Sequence, residues 1–127
     1  MHKGFLVTAA LLGALSVALG AFGAHALKAI LTEQSLATYE TAVRYQFYHV
    51  FALALTGMMY QSRPNQFVKA AGRLFIIGII FFSGSLYLLT YASANNMSLP
   101  WAGPLTPLGG VMLIIGWICL AIGMRKV

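Results

Sequence analysis

Most side chains able to do chemistry in this apolar chain are concentrated between positions 25 and 49. Imidazole and carboxylate groups at one level of a membrane can hold a metal ion or a haem, or they can relay protons. Glu40 and Arg44 also stand four residues apart with the acid first, the order that favours a helical pair. The candidate polar site therefore comprises seven residues: His25, Glu40, Arg44, Tyr45, Gln46, Tyr48 and His49.

Four of these residues also have a purely structural interpretation. Glu40 and Arg44 would form an interfacial ion pair that anchors a helix. His25 would cap the carbonyl end of a helix, and His49 would be a hydrogen-bonded interior histidine. Two histidines and a carboxylate without a tight motif are a weak metal signal. We therefore favour the structural interpretations and expect neither a metal nor a cofactor, with a haem or metal held by the histidines as a remaining alternative.

The chain carries no recognisable catalytic motif. It has no aspartate, no G-x-S-x-G elbow, no H-E-x-x-H pair and no phosphate loop. Cys119 is the only cysteine, which excludes an intramolecular disulfide. The sequence therefore predicts a protein that is not an enzyme.

The composition is that of a membrane protein. Hydrophobic residues make up 60% of the 127 residues and charged residues only 8%, whereas globular proteins carry about a quarter charged residues. About 20 apolar residues form one helical crossing. The uncharged intervals predict a single all-α domain over residues 1–127, a bundle whose crossings lie at about 4–24, 45–62, 74–93 and 105–124.

The second crossing is the least apolar of the four. Its centre, "VFALAL", is apolar on every face of a helix, whereas a helix lying on the membrane surface keeps one polar face. We therefore prefer four crossings to three. An amphipathic stretch at about 32–44 is predicted to precede this crossing on the outer side.

Basic residues are distributed unequally between the two sides that four crossings define. One side carries Lys3, Arg63, Lys69, Arg73, Arg125 and Lys126, and the other carries Lys28, Arg44, Glu33 and Glu40. Because basic loops stay inside, this distribution predicts an inner-membrane protein with both termini in the cytoplasm. The positive charge lies at segment ends rather than in a patch interleaved with aromatic residues, so no nucleic-acid partner is expected. The first apolar run exceeds the length of a signal-peptide core, so we expect it to be retained.

Small residues recur at helical spacing in three of the crossings. The first has Gly13, Ser16, Gly20 and Gly23, the third has Gly84 between two serines, and the last has Gly109, Gly116 and Gly123. Small residues let membrane helices approach closely. These stripes would build the internal packing of the bundle, or one of them would face a second copy in a homo-oligomer.

Four stretches resemble a known family: "LGAFGAHALK", "TAVRYQFYHVFAL", "GRLFIIGIIFFSGSLYLL" and "TPLGGVMLIIGW". They are similar to the signature stretches of the domain of unknown function 423 family. The resemblance covers the chain from end to end and implies a small inner-membrane protein with four crossings. It implies no substrate, cofactor or catalytic residue.

The expected function is therefore binding within the bilayer. The first hypothesis is a non-enzymatic membrane protein that binds lipid, a small apolar ligand or a membrane partner through its helix surfaces. The alternative is a small transporter or channel whose polar site contains Glu40, Arg44, Gln46 and His49.

Overall fold

The computed structural model describes residues 1–126, and these form four long α-helices. They are α1 (Lys3–His25), α2 (Glu33–Met59), α3 (Gln66–Ala94) and α4 (Leu105–Arg125), with one short 3-10 helix at Leu27–Ala29 after α1. The prediction of an all-helical fold is confirmed.

Side chains of the loops begin the second and third helices. The Thr32 hydroxyl accepts the backbone N–H of Ser35 at 3.1 Å. The Asn65 Oδ1 accepts the N–H groups of Phe67 and Val68 at 2.9 and 3.1 Å. Each contact satisfies donors that the first helical turn leaves without an intrahelical partner. The two caps therefore decide where α2 and α3 begin.

Two helices differ in extent from the crossings predicted for them. The outer amphipathic stretch and the second crossing form one continuous helix, which ends at Met59 rather than at residue 62. The third helix begins at Gln66, well before residue 74. The physical reason is that charge determines which residues can enter lipid, whereas caps and backbone hydrogen bonds determine where a helix begins and ends. Lys69 and Arg73 are tolerated within α3 because neither side chain is buried.

Three segments of the described chain are long and apolar enough to cross a membrane: Lys3–Ala29, Gln66–Ala94 and Leu105–Arg125. The second helix is not among them, because its first half carries charged and polar side chains. Large apolar side chains such as Leu11, Phe51 and Ile114 lie exposed on the outer surface of the helices. Such a surface is suited to lipid.

Helices that are neighbours in sequence pack against each other in antiparallel pairs. At one end of the molecule, the backbone N–H of His2 donates to the carbonyl oxygen of Gly57 at 3.0 Å. At the other end, the Tyr39 hydroxyl donates to the carbonyl oxygen of Leu19. The first helix therefore runs beside α2 along most of its length.

The third helix packs against both α2 and α4. At its C-terminal end, the hydroxyl oxygens of Ser35 and Ser93 lie 2.7 Å apart. At its N-terminal end, the Asn65 Nδ2 donates to the carbonyl oxygen of Gly123 on α4 at 3.0 Å. The start of α1, the α2–α3 loop and the end of α4 consequently lie at the same end of the molecule.

The glycine stripe of α4 faces α3. A Cβ at Gly116 would lie 2.8 Å from the Phe75 ring, and one at Gly123 would lie 2.6 Å from Val68. A Cβ at Gly109 would collide with the backbone of Phe82. The absence of side chains on this stripe is what lets α3 and α4 approach closely.

The small residues of α1 face α2. Ser16 is fully buried. A Cβ at Gly23 would lie 2.5 Å from the Tyr39 ring. At Gly13 and Gly20 the nearest atoms, from valine side chains of α2, would lie at the ordinary distances of 3.5 and 3.6 Å. The two stripes on α1 and α4 thus line interfaces within one chain.

The assignment of Gly84 to helix packing needs correction. A Cβ at this position would meet nothing within 4 Å. Spacing in the sequence places a residue on a face of its helix, but the neighbouring helix decides whether that face is crowded.

Candidate functional site

A histidine and a tryptophan are joined near the middle of the helices. The Trp117 Nε1 donates to the Nε2 of His49 at 3.1 Å, and the His49 Nδ1 lies 2.7 Å from the carbonyl oxygen of Tyr45. Because a carbonyl only accepts and an indole N–H only donates, the proton of this imidazole is on Nδ1. Both ring nitrogens are occupied by protein groups. His49 is therefore a fully hydrogen-bonded interior residue and offers no free lone pair to a metal.

Gln46 links three helices one turn earlier on α2. Its side-chain amide nitrogen Nε2 donates to the carbonyl oxygen of Leu12 on α1 at 3.2 Å. Its Oε1 accepts the hydroxyl of Tyr87 on α3 at 2.7 Å. Gln46 is 2% exposed, so these contacts replace water at both ends of its amide. This side chain holds the packing of α1, α2 and α3 together.

An apolar groove lies beside the histidine and the tryptophan. It has a volume of about 440 Å³ and runs between α2, α3 and α4. We call it the mid-helix groove, and it is lined by Tyr45, His49, Phe82, Gly110, Leu113, Ile114 and Trp117. Its wall is formed mainly by aromatic and aliphatic side chains and includes the hydrogen-bonded imidazole and indole.

Of the other members of the predicted polar site, only Tyr45 lines the mid-helix groove. Glu40, Arg44 and Tyr48 are exposed on α2, on the side away from the buried Gln46 and His49. Tyr45 is 39% exposed, and its ring packs against that of Phe82 with centroids 4.9 Å apart. The structure therefore brings Tyr45 and His49 together and separates Glu40 and Arg44 from them.

The expectation that His25 and His49 lie near one level is wrong. Gly13 of α1 contacts Val50, the neighbour of His49, whereas His25 ends α1 and is exposed. The helix rises about 18 Å from residue 13 to residue 25. The antiparallel register of α1 and α2 therefore keeps the two histidines too far apart to ligate one haem. In the part of the chain that is described, no three His, Cys, Asp or Glu side chains meet at a possible metal site.

Three residues of this region did not emerge from the sequence. Trp117 and Phe82 line the groove, and Tyr87 holds Gln46. The only available signal was a tryptophan in the middle of an apolar helix, because tryptophan ordinarily prefers the membrane interface.

Similarity to known proteins extends over the whole chain. The family model described as "Protein of unknown function (DUF423)" matches residues 19–110. A UPF0382 membrane protein of Staphylococcus aureus (strain bovine RF122) is 41% identical over 124 residues, covering 98% of this chain and 97% of its own. A UPF0382 membrane protein of Haemophilus influenzae is 40% identical over 129 residues, covering 99% and 97%.

A more distant relative has the same extent. The UPF0382 membrane protein YwdK of Bacillus subtilis is 36% identical over 125 residues, covering 98% of both chains. No solved structure matches this chain. The length of the shared region and the identity of the relatives establish that the chain belongs to the DUF423 family of membrane proteins of unknown function.

Proposed function

We propose that this protein is a non-enzymatic integral membrane protein that binds a lipid acyl chain in the mid-helix groove. The observation that carries the proposal is the position of this groove. It is an apolar depression at the level of His49 and Trp117, near the middle of α2, α3 and α4. Of these helices, α3 and α4 are long and apolar enough to cross a bilayer. Its volume lies within the range of about 300–1,000 Å³ that is usual for ligand sites.

The chemistry of the wall favours an acyl chain as the occupant. Leu113, Ile114 and Phe82 offer only dispersion contacts, and the imidazole of His49 is already satisfied by Trp117. Water gains nothing in such a groove, because too few polar groups remain to hold it.

The observed contacts give less support to transport or catalysis. A polar path would need its side chains to face a common wet space. Gln46 and His49 use their polar atoms within the protein, while Glu40 and Arg44 lie on a different side of α2. Binding of an apolar chain requires none of these groups to be free.

Filling the groove should abolish binding. A Cβ at Gly110 would lie 3.7 Å from the Phe82 ring, an ordinary contact, so Gly110→Leu should fold and place its side chain in the groove. Trp101→Phe leaves Trp117 as the only tryptophan. In that background, titration of a brominated phospholipid in detergent should quench the fluorescence of Trp117 along a saturable curve. Gly110→Leu should weaken this binding at least about tenfold, or about 1.4 kcal/mol.

Gly84→Leu is the matched control, since a Cβ at that position would meet nothing within 4 Å. It should leave the quenching curve unchanged. A non-saturable curve, or an equal loss of quenching in both leucine variants, would contradict the proposed site.

We further propose that α2 crosses the bilayer, that the membrane is the inner membrane and that both chain ends are cytoplasmic. Contacts along α2 support the crossing, because Tyr39 packs at Gly23 near the end of α1 and Gly57 packs at Leu6 near its start. A helix matched to α1 over this length has to share its depth. The excess of basic residues at the end that holds Lys3 supports the orientation.

Cysteine labelling tests this topology. In a Cys119→Ser background, a membrane-impermeant maleimide should label Gly103→Cys from the outside of intact cells. It should label Lys3→Cys and Gln66→Cys only in inverted vesicles. Labelling of positions 3 and 66 from opposite faces would show that α2 does not cross.

A further inference from the structure

A polar pocket lies at the end of the molecule remote from both acidic residues. The α2–α3 loop and the end of α4 enclose about 390 Å³. We call this space the basic pocket, and it is lined by Ser62, Arg63, Pro64, Asn65 and Lys126. It is separate from the mid-helix groove and shares no lining residue with it.

Hydrogen bonds hold the walls of the basic pocket in place. The Arg63 Nη1 donates to the carbonyl oxygen of Lys126 at 2.9 Å. The Asn65 Nδ2 donates to the carbonyl oxygen of Gly123, which ties the loop to α4. The Lys126 Nζ lies 4.7 Å from the centroid of the Phe67 ring, a cation–π contact that positions the ammonium group. Two cationic side chains thus line one pocket, and each makes a contact with a neighbouring residue.

The charged side chains that line the pocket are all positive. The two acidic residues of the chain, Glu33 and Glu40, lie in the first half of α2 at the opposite end. Neighbouring cations repel each other, and an anion between them removes this repulsion. Arg63 has five N–H donors, so its contact with one carbonyl leaves others to bind an oxyanion. Guanidinium and phosphate groups are complementary in geometry.

We infer that the basic pocket binds the phosphate of an anionic phospholipid. A lipid is favoured over a free ion by the position of the pocket, which lies where α3 begins and α4 ends, two helices suited to crossing the bilayer. Basic groups at this level attract anionic headgroups.

The test compares thermal unfolding of the full chain in phosphatidylcholine nanodiscs with and without phosphatidylglycerol. Phosphatidylglycerol should raise the unfolding midpoint of the unaltered chain. Arg63→Gln, which keeps a donor for the Lys126 carbonyl, should lose most of this shift, and so should Lys126→Gln. Native mass spectrometry should show at least about tenfold weaker retention of phosphatidylglycerol by both variants, which corresponds to about 1.4 kcal/mol.

Lys69→Gln and Arg73→Gln are matched controls. They remove one positive charge from the same end of the molecule but do not line the pocket. Both should keep most of the shift. An equal loss of the midpoint shift in all four variants would show that the lipid acts on the charged surface as a whole and would contradict a specific site. A shift reproduced by inorganic phosphate in phosphatidylcholine nanodiscs would show an ion site instead of a lipid site and would overturn the proposal.

Discussion

Gly109→Ala is expected to lower the free energy of unfolding by about 3 kcal/mol, the upper part of the range for overpacked sites. The added Cβ would collide with the backbone nitrogen and Cα of Phe82. Backbone atoms cannot move aside as a side chain does, so α3 and α4 would have to separate. Unfolding in mixed micelles, followed by circular dichroism, measures the loss.

Gly116→Ala and Gly84→Ala provide a graded comparison. At Gly116 the nearest atoms belong to the Phe75 ring, which can shift, so a smaller loss is expected. At Gly84 the added methyl group meets open space, and the free energy of unfolding should stay within about 0.5 kcal/mol of its original value. Equal losses at positions 84 and 109 would mean that the close α3–α4 contact contributes nothing particular to stability.

Gln46→Leu is expected to lower the free energy of unfolding by about 1–2 kcal/mol. The substitution removes the contacts with the Leu12 carbonyl and the Tyr87 hydroxyl. A buried group left without a partner costs about 1–3 kcal/mol, whereas hydrogen bonds between membrane helices average only about 0.6 kcal/mol. The intermediate value reflects two lost hydrogen bonds. Loss of the bond to the Tyr87 hydroxyl should cost more, because the Leu12 carbonyl still accepts a hydrogen bond from the Ser16 hydroxyl.

A double-mutant cycle separates this hydrogen bond from general packing effects. Gln46→Leu combined with Tyr87→Phe removes both the donor and the acceptor. The loss should be smaller than the sum of the single losses, with a coupling energy of about 0.6–1.7 kcal/mol. Additive losses would show that the two side chains contribute independently. Gln46→Glu serves as a further comparison, since it keeps the acceptor for Tyr87 and loses the donor to Leu12.

Much of the fold was predictable because its determinants are local. Long uncharged apolar runs predict helices of membrane-spanning length, and α1 and α4 follow those runs closely. The boundaries of α2 and α3 were not predictable from hydropathy. Lys69 and Arg73 shorten the apolar run of α3 without ending the helix, which begins at the Asn65 cap.

The site depended on contacts between distant parts of the chain. The sequence by itself predicted that His49 is a polar group inside the membrane boundary. Its partner Trp117 lies on another helix, and only packing brings the two together. The antiparallel register of α1 and α2 likewise decided that His25 lies far from His49. Helical periodicity determines which residues share a face, whereas tertiary contacts determine what that face meets. For this reason the sequence alone established the class of protein and the extent of α1 and α4. Only the tertiary structure decided the groove, the partners of His49 and the side of each helix that is crowded.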